Sequence, residues 1–104
     1  MKVLVTGGTS LIGGAVAQRL DERGDDVTVF QRRPCGLDVV EELGDITDVS
    51  ALAGAVGGAD AVIHLAARVG VVGAWEDFEL TNVEGTAAVL SAARQAGVSR
   101  FVFV

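Results

Sequence analysis

The sequence has no tyrosine, and Lys2 is its single lysine. A mechanism that needs a tyrosine acid/base beside a lysine is therefore excluded within these 104 residues. Cys35 stands alone, which excludes an intrachain disulfide and a cysteine-based zinc site. Basic residues are scarce: 8 Lys and Arg face 14 Asp and Glu, for a net charge of −6. That balance argues against nucleic acid and anionic membranes as partners, since both are held mainly by clustered Lys and Arg. No apolar run reaches the roughly 18 to 20 residues that cross a bilayer. The N-terminus enters an apolar strand-like run without the charged region and cleavage site of a leader. A soluble cytoplasmic protein is the expectation.

What is present is globular in composition: 50% hydrophobic, 21% charged, and 14 glycines against one proline. A disordered chain would be less apolar. Lys2-Val3-Leu4-Val5-Thr6 reads as a buried strand stopping at Gly7-Gly8. From Leu11 the spacing turns helical, with Ile12, Val16 and Leu20 on one face and Gly24 as the stop. Val27 to Phe30 reads as a second strand, broken at Pro34. Asp38 to Leu43 is ambiguous, with Val39-Val40 favouring a short third strand. Asp48 or Ser50 caps a helix over Leu52 and Val56, ended by Gly57-Gly58. Ala61 to Leu65 is a fourth strand. Glu76 to Ala96 reads as a long helix with Val83, Ala87 and Leu90 on one face, and Arg100 to Val104 as a fifth strand. Apolar strands alternating with helices predict an α/β domain with a parallel sheet covered on both faces.

Gly7-Gly8-Thr9-Ser10-Leu11-Ile12-Gly13-Gly14 falls in the turn between the first strand and first helix. Glycine there permits the tight turn and lets backbone N–H groups approach a pyrophosphate. The helix N-terminus adds unpaired donors and a positive dipole. A turn that merely needs positive φ does not require so many small residues.

Thr6-Gly7-Gly8-Thr9-Ser10-Leu11-Ile12-Gly13 resembles the T-G-x-x-G-F-I-G motif of the extended short-chain dehydrogenase/reductases. That branch holds the NAD-dependent epimerases, dehydratases and 3β-hydroxysteroid dehydrogenase-like enzymes. Ser10 replaces the middle glycine; its Cβ crowds a pyrophosphate or its hydroxyl donates to one. Leu11 stands for phenylalanine. Gly44-Asp45-Ile46-Thr47-Asp48 is similar to the family's acidic turn, which implies that Asp45 accepts from the adenine amino group and Ile46 covers the ring. Read alone, Asp45 is a helix cap. Asp60 to Ala67 resembles the fourth strand, whose Leu65-Ala66-Ala67 end would lie along the cofactor. His64 within it reads as a packed strand residue rather than an acid/base, and a lone histidine gives a metal little support. Thr81-Asn82-Val83-Glu84-Gly85-Thr86 resembles the N-V-x-G-T helix, in which Asn82 fixes backbone near the active site; alone, Asn82 is an ordinary helix residue. Gly97 to Val104 resembles the approach of the fifth strand.

The resemblance spans nearly the whole sequence and implies a Rossmann-type parallel sheet of order 3-2-1-4-5, truncated after strand five. Residues 1–104 are then an incomplete NAD(P)-binding domain. The family's catalytic Ser/Thr and Tyr-x-x-x-Lys would follow it, so no catalytic residue is assigned. The chain by itself is expected to do no hydride chemistry. Its parent would move hydride between a nicotinamide and a hydroxyl-bearing carbon of a small-molecule substrate. Two other readings stay open: a non-catalytic dinucleotide-binding redox sensor, and an interaction fragment that binds nothing.

Which dinucleotide is a question of charge at the end of strand two. A carboxylate there accepts from the adenosine 2′-hydroxyl and repels a 2′-phosphate, whereas arginine does the reverse. Gln31-Arg32-Arg33 occupies that end with no acid before Asp38, which favours NADP over NAD. Arg68 to Trp75 reads as a loop with Trp75 as an apolar anchor, although Arg68 and Trp75 lie where a substrate would bind. An apolar fifth strand at a sheet edge predicts self-association of the fragment.

Overall fold

Parallel strands alternate with helices along most of the chain, and among the described residues the second and third strands are joined without a helix. The computed structural model describes residues 1–7, 11–34, 36, 39–65 and 83–104. The elements are β1 (Lys2–Thr6), α1 (Leu11–Glu22), β2 (Asp26–Gln31), β3 (Val40–Leu43), α2 (Val49–Val56), β4 (Ala61–His64), α3 (Gly85–Gln95) and β5 (Arg100–Phe103). The five strands form one sheet in the order β3-β2-β1-β4-β5. Every pairing is parallel, with Val3 opposite Val27 and Ala61, and Thr6 opposite Phe30 and His64. This is the expected Rossmann-type order.

Alternation along the strands divides the core between the two faces. Leu4, Phe30 and Val62 pack against Leu52 and Val56 of α2 and Val89 and Ala93 of α3. On the other face Val3, Val5, Val27, Val29 and Ala61 pack with Ala17 of α1. Asp48 caps α2, its carboxylate accepting from the Ala51 N–H at 3.2 Å. Lys2 Nζ donates to the Gly57 carbonyl at the other end of that helix.

Two helix faces differ from the expectation. Ile12 is 59% exposed and Val16 and Leu20 are half-buried, while Gly13 and Ala17 face the core. In α3 the buried line is Gly85, Val89 and Ala93; Val83, Ala87 and Leu90 are exposed. Small side chains let a helix lie close on a sheet, so the seam selects Gly and Ala and leaves Leu90 outside. The expected start of that helix at Glu76 lies outside the described residues.

Candidate functional site

The carboxyl ends of β1, β2, β3 and β4 lie along one edge of the sheet, the edge at which open parallel sheets bind ligands. Gly7 leaves β1 with φ +82°, a conformation that a side chain would disfavour, and its N–H donates to the Phe30 carbonyl at 3.3 Å. The chain re-enters regular structure at Leu11, the first residue of α1. The opening N–H groups of a helix lack intrahelical acceptors, so this end presents donors toward the turn. Gly13 is buried in the helix–sheet seam. Gly8, Thr9 and Ser10 lie outside the described residues.

At the end of β2, Gln31 is only 6% exposed, yet among the described residues neither its side-chain oxygen nor its nitrogen has a hydrogen-bond partner. An amide left so costs stability unless something else satisfies it. Arg32 and Arg33 follow it and are exposed. The Gln31 carbonyl accepts from the Gly44 N–H at 2.9 Å, which joins this end to the turn after β3. Asp38, the next acid along the chain, is outside the described residues, as is Cys35.

In that turn, Asp45 Oδ1 accepts from both the N–H and the hydroxyl of Thr47, at 2.9 and 2.8 Å. These two bonds, with a smaller contribution from the Arg32 guanidinium, hold the Asp45 carboxyl below the ordinary carboxylate range. Asp45 is therefore an ionised group at the carboxyl-end edge of the sheet, and Asp48 rather than Asp45 is the helix cap. Ile46 is 6% exposed, with its side chain in the core beside Leu4 and Phe30.

At the end of β4, His64 is buried, with hydrogen bonds at both ring nitrogens. Burial pushes the imidazole below its ordinary pKa, toward the neutral form. It is a packed strand residue, as expected. Leu65 follows and donates its N–H to Thr6 Oγ1 at 3.0 Å. Ala66, Ala67, Arg68, Trp75 and Asn82 lie outside the described residues. Sequence reasoning did not single out Thr6, Thr47 or Thr86, whose hydroxyls organise this edge. The one signal for Thr6 was a hydroxyl ending an otherwise apolar strand.

The opposite edge has the wrong charge for a phosphate ligand. A groove of about 320 Å³ there is lined by Asp21, Asp25, Asp26, Val27, Val39 and Val40. Among the described residues no group of three or more His, Cys, Asp or Glu is placed to hold a metal ion. No helix among them is long and apolar enough to cross a membrane.

Comparison with known proteins matches residues 3–104 to the NAD dependent epimerase/dehydratase family. The chain belongs to that family. Within it, the chain is 38% identical over 107 residues to a 2-alkyl-3-oxoalkanoate reductase of Stenotrophomonas maltophilia, covering 99% of the chain and 32% of the relative. It is 39% identical over 113 residues to a 3-beta-hydroxysteroid dehydrogenase of Mycolicibacterium neoaurum, covering 98% and 31%. A short-chain dehydrogenase/reductase superfamily protein from Agrobacterium tumefaciens, solved with bound NAD, superposes with a TM-score of 0.92 at 41% identity. That alignment covers 99% of this chain and 32% of the solved one. The chain thus spans about a third of the length of these relatives. Its fold is that of the matching part of the solved short-chain dehydrogenase/reductase.

Proposed function

We propose that residues 1–104 form the dinucleotide-binding part of an oxidoreductase or epimerase, and that the dinucleotide is NADP in preference to NAD. The observation that carries this reading is Gln31: a buried amide with both polar atoms unpartnered among the described residues, at the end of β2, followed by two exposed arginines. An amide hydrogen-bonds a ribose hydroxyl or a phosphate without repelling either, and Arg32 and Arg33 supply charge that complements a 2′-phosphate. The positive-φ Gly7 and the start of α1 suit a pyrophosphate, so the residues present fit the group.

In this reading Gly7, Thr9, Ser10, Leu11, Ile12 and Gly13 carry the backbone that cradles the pyrophosphate. Gln31, Arg32 and Arg33 read the adenosine ribose. Asp45 accepts from the adenine amino group beside Ile46, and Leu65, Ala66, Ala67 and Asn82 border the nicotinamide half. A bound nicotinamide supplies hydride acceptance and donation. The chain's own residues bind and orient it, and the proton-transfer groups come from outside these 104 residues. The whole protein's substrate is proposed to be a small molecule with a secondary alcohol or its ketone. The reductase and dehydrogenase relatives, named for a 3-oxo and a 3-hydroxy substrate, support that class.

Calorimetric titration with NADP and NAD tests the reading. Tighter binding of NADP is expected, with Arg32→Ala and Arg33→Ala each lowering the ratio of NADP to NAD affinity. An unchanged ratio in both variants overturns the NADP preference, and no binding of either dinucleotide overturns the cofactor reading.

A further inference from the structure

Thr6 ends β1, His64 ends β4, and Thr86 lies in the first turn of α3. His64 Nδ1 is 2.7 Å from Thr6 Oγ1, and His64 Nε2 is 2.9 Å from Thr86 Oγ1. Thr6 Oγ1 also accepts the Leu65 N–H at 3.0 Å. The imidazole is 1% exposed and lies beside the rings of Phe101 and Phe103, with centroids 6.3 and 5.8 Å away. A neutral imidazole donates through one nitrogen and accepts through the other. One threonine hydroxyl therefore donates to the ring while the other accepts from it, and the ring is satisfied only when both are in place.

Volume alone does not call for a polar ring here. An apolar side chain of similar size would fill the space beside two phenylalanines with no polar group to desolvate. What the imidazole adds is direction: a fully bonded buried network fixes the relative placement of the groups it joins. Those groups are the last residue of β1 before the Gly7 turn, the first residue beyond β4, and the start of α3.

We propose that His64 is a positioning residue for the dinucleotide site. Through its two threonine hydrogen bonds it holds the Thr6–Gly7 turn and the Leu65 exit of β4 in register with the start of α3. The proposal rests on the cofactor reading above. It assigns His64 no proton transfer to a substrate.

The test compares the unaltered protein with Thr86→Val and Thr86→Ser, titrating each with NADP and NAD and recording thermal unfolding alongside. Valine keeps the volume of Thr86 and removes its hydroxyl, whereas serine keeps the hydroxyl. At a temperature well below every unfolding midpoint, Thr86→Val is expected to weaken dinucleotide binding about fivefold to tenfold, the scale of one lost buried hydrogen bond. Thr86→Ser is expected to stay within about twofold of the unaltered protein. The imidazole ¹⁵N signals of His64 report the same difference without ligand. The Nε2 signal is expected to match the unaltered protein with serine at residue 86 and to move with valine, which leaves Nε2 without its hydroxyl partner. Equal affinities across all three proteins, with only the unfolding midpoint moved, overturn the positioning role and leave the cofactor reading standing. An unaltered protein that binds neither dinucleotide overturns both.

Discussion

The phenyl ring of Phe30 occupies the space that a Cβ on Gly44 would need: such an atom would lie 2.8 Å from Cζ and 3.0 Å from Cε2. Phe30 is 1% exposed and is packed on by the α2 side of the core, so the ring has little room to retreat. The turn that carries Asp45 thus sits directly on a core aromatic. Gly44→Ala is expected to destabilise the fold by about 1–3 kcal/mol through overpacking. Gly54, exposed within α2, supplies the contrast, since a methyl group there would meet nothing within 4 Å. Gly54→Ala is expected to stabilise by about 0.5–1 kcal/mol through helix propensity. Urea unfolding midpoints of the two variants should move in opposite directions.

The strands were readable because β1, β2 and β4 are mostly apolar and alternate with helical segments, whereas their order followed from the family resemblance. The buried helix faces were not readable. Pattern-reading weights large apolar residues such as Ile12 and Leu90, whereas close helix–sheet packing buries Gly13, Ala17, Gly85 and Ala93. Along the candidate edge, Gly7 and Gln31 could be placed at strand ends from the sequence, whereas Asp45 was named only through the family resemblance, since read alone it is a helix cap. The Thr6–His64–Thr86 network was not legible, because its partners lie 58 and 22 residues apart in sequence and meet only once the strand order is set.

Acid is expected to weaken the fold in two separate steps. Burial depresses the His64 pKa below about 6.5, so the unfolded chain binds a proton that the folded chain refuses. Stability is full above about 6.5 and falls as the pH drops from there to the folded pKa. Among the described residues the side chains touching the ring, Thr6, Thr86, Phe101 and Phe103, carry no charge that would offset this. Asp45, depressed mainly by its Thr47 hydrogen bonds, contributes stability above about 4 that is lost as the pH falls through its lower folded value. Chemical denaturation across pH should show both losses. His64→Asn should flatten the upper one and Asp45→Asn the lower.

Gln31→Asp should exchange the cofactor preference. A carboxylate at this buried position accepts from a ribose 2′-hydroxyl and repels a 2′-phosphate, while the exposed arginines remain. Charged hydrogen bonds contribute about 1.5–3 kcal/mol, so the ratio of NADP to NAD affinity is expected to fall between about tenfold and a hundredfold. Parallel titrations with the two dinucleotides check it, and a ratio within about twofold of the unaltered protein would place the ribose reader elsewhere.

β5 forms one edge of the sheet; Val102 and Phe103 on it and Val104 just beyond it are 48%, 64% and 60% exposed. An apolar, β-prone edge with unpaired backbone groups templates another strand, and the 104-residue chain on its own offers that edge to a second copy. We therefore expect it to self-associate as its concentration rises. Charge on an edge strand opposes such pairing, because a lysine cannot enter the apolar contact that two edges make. Val102 is the position to change, since it is half exposed on β5 whereas Phe103 lies against the His64 ring. Sedimentation velocity of the isolated chain should show the larger species receding in Val102→Lys. A concentration-independent monomer in the unaltered chain would show that the edge is closed by means other than pairing with a copy of itself.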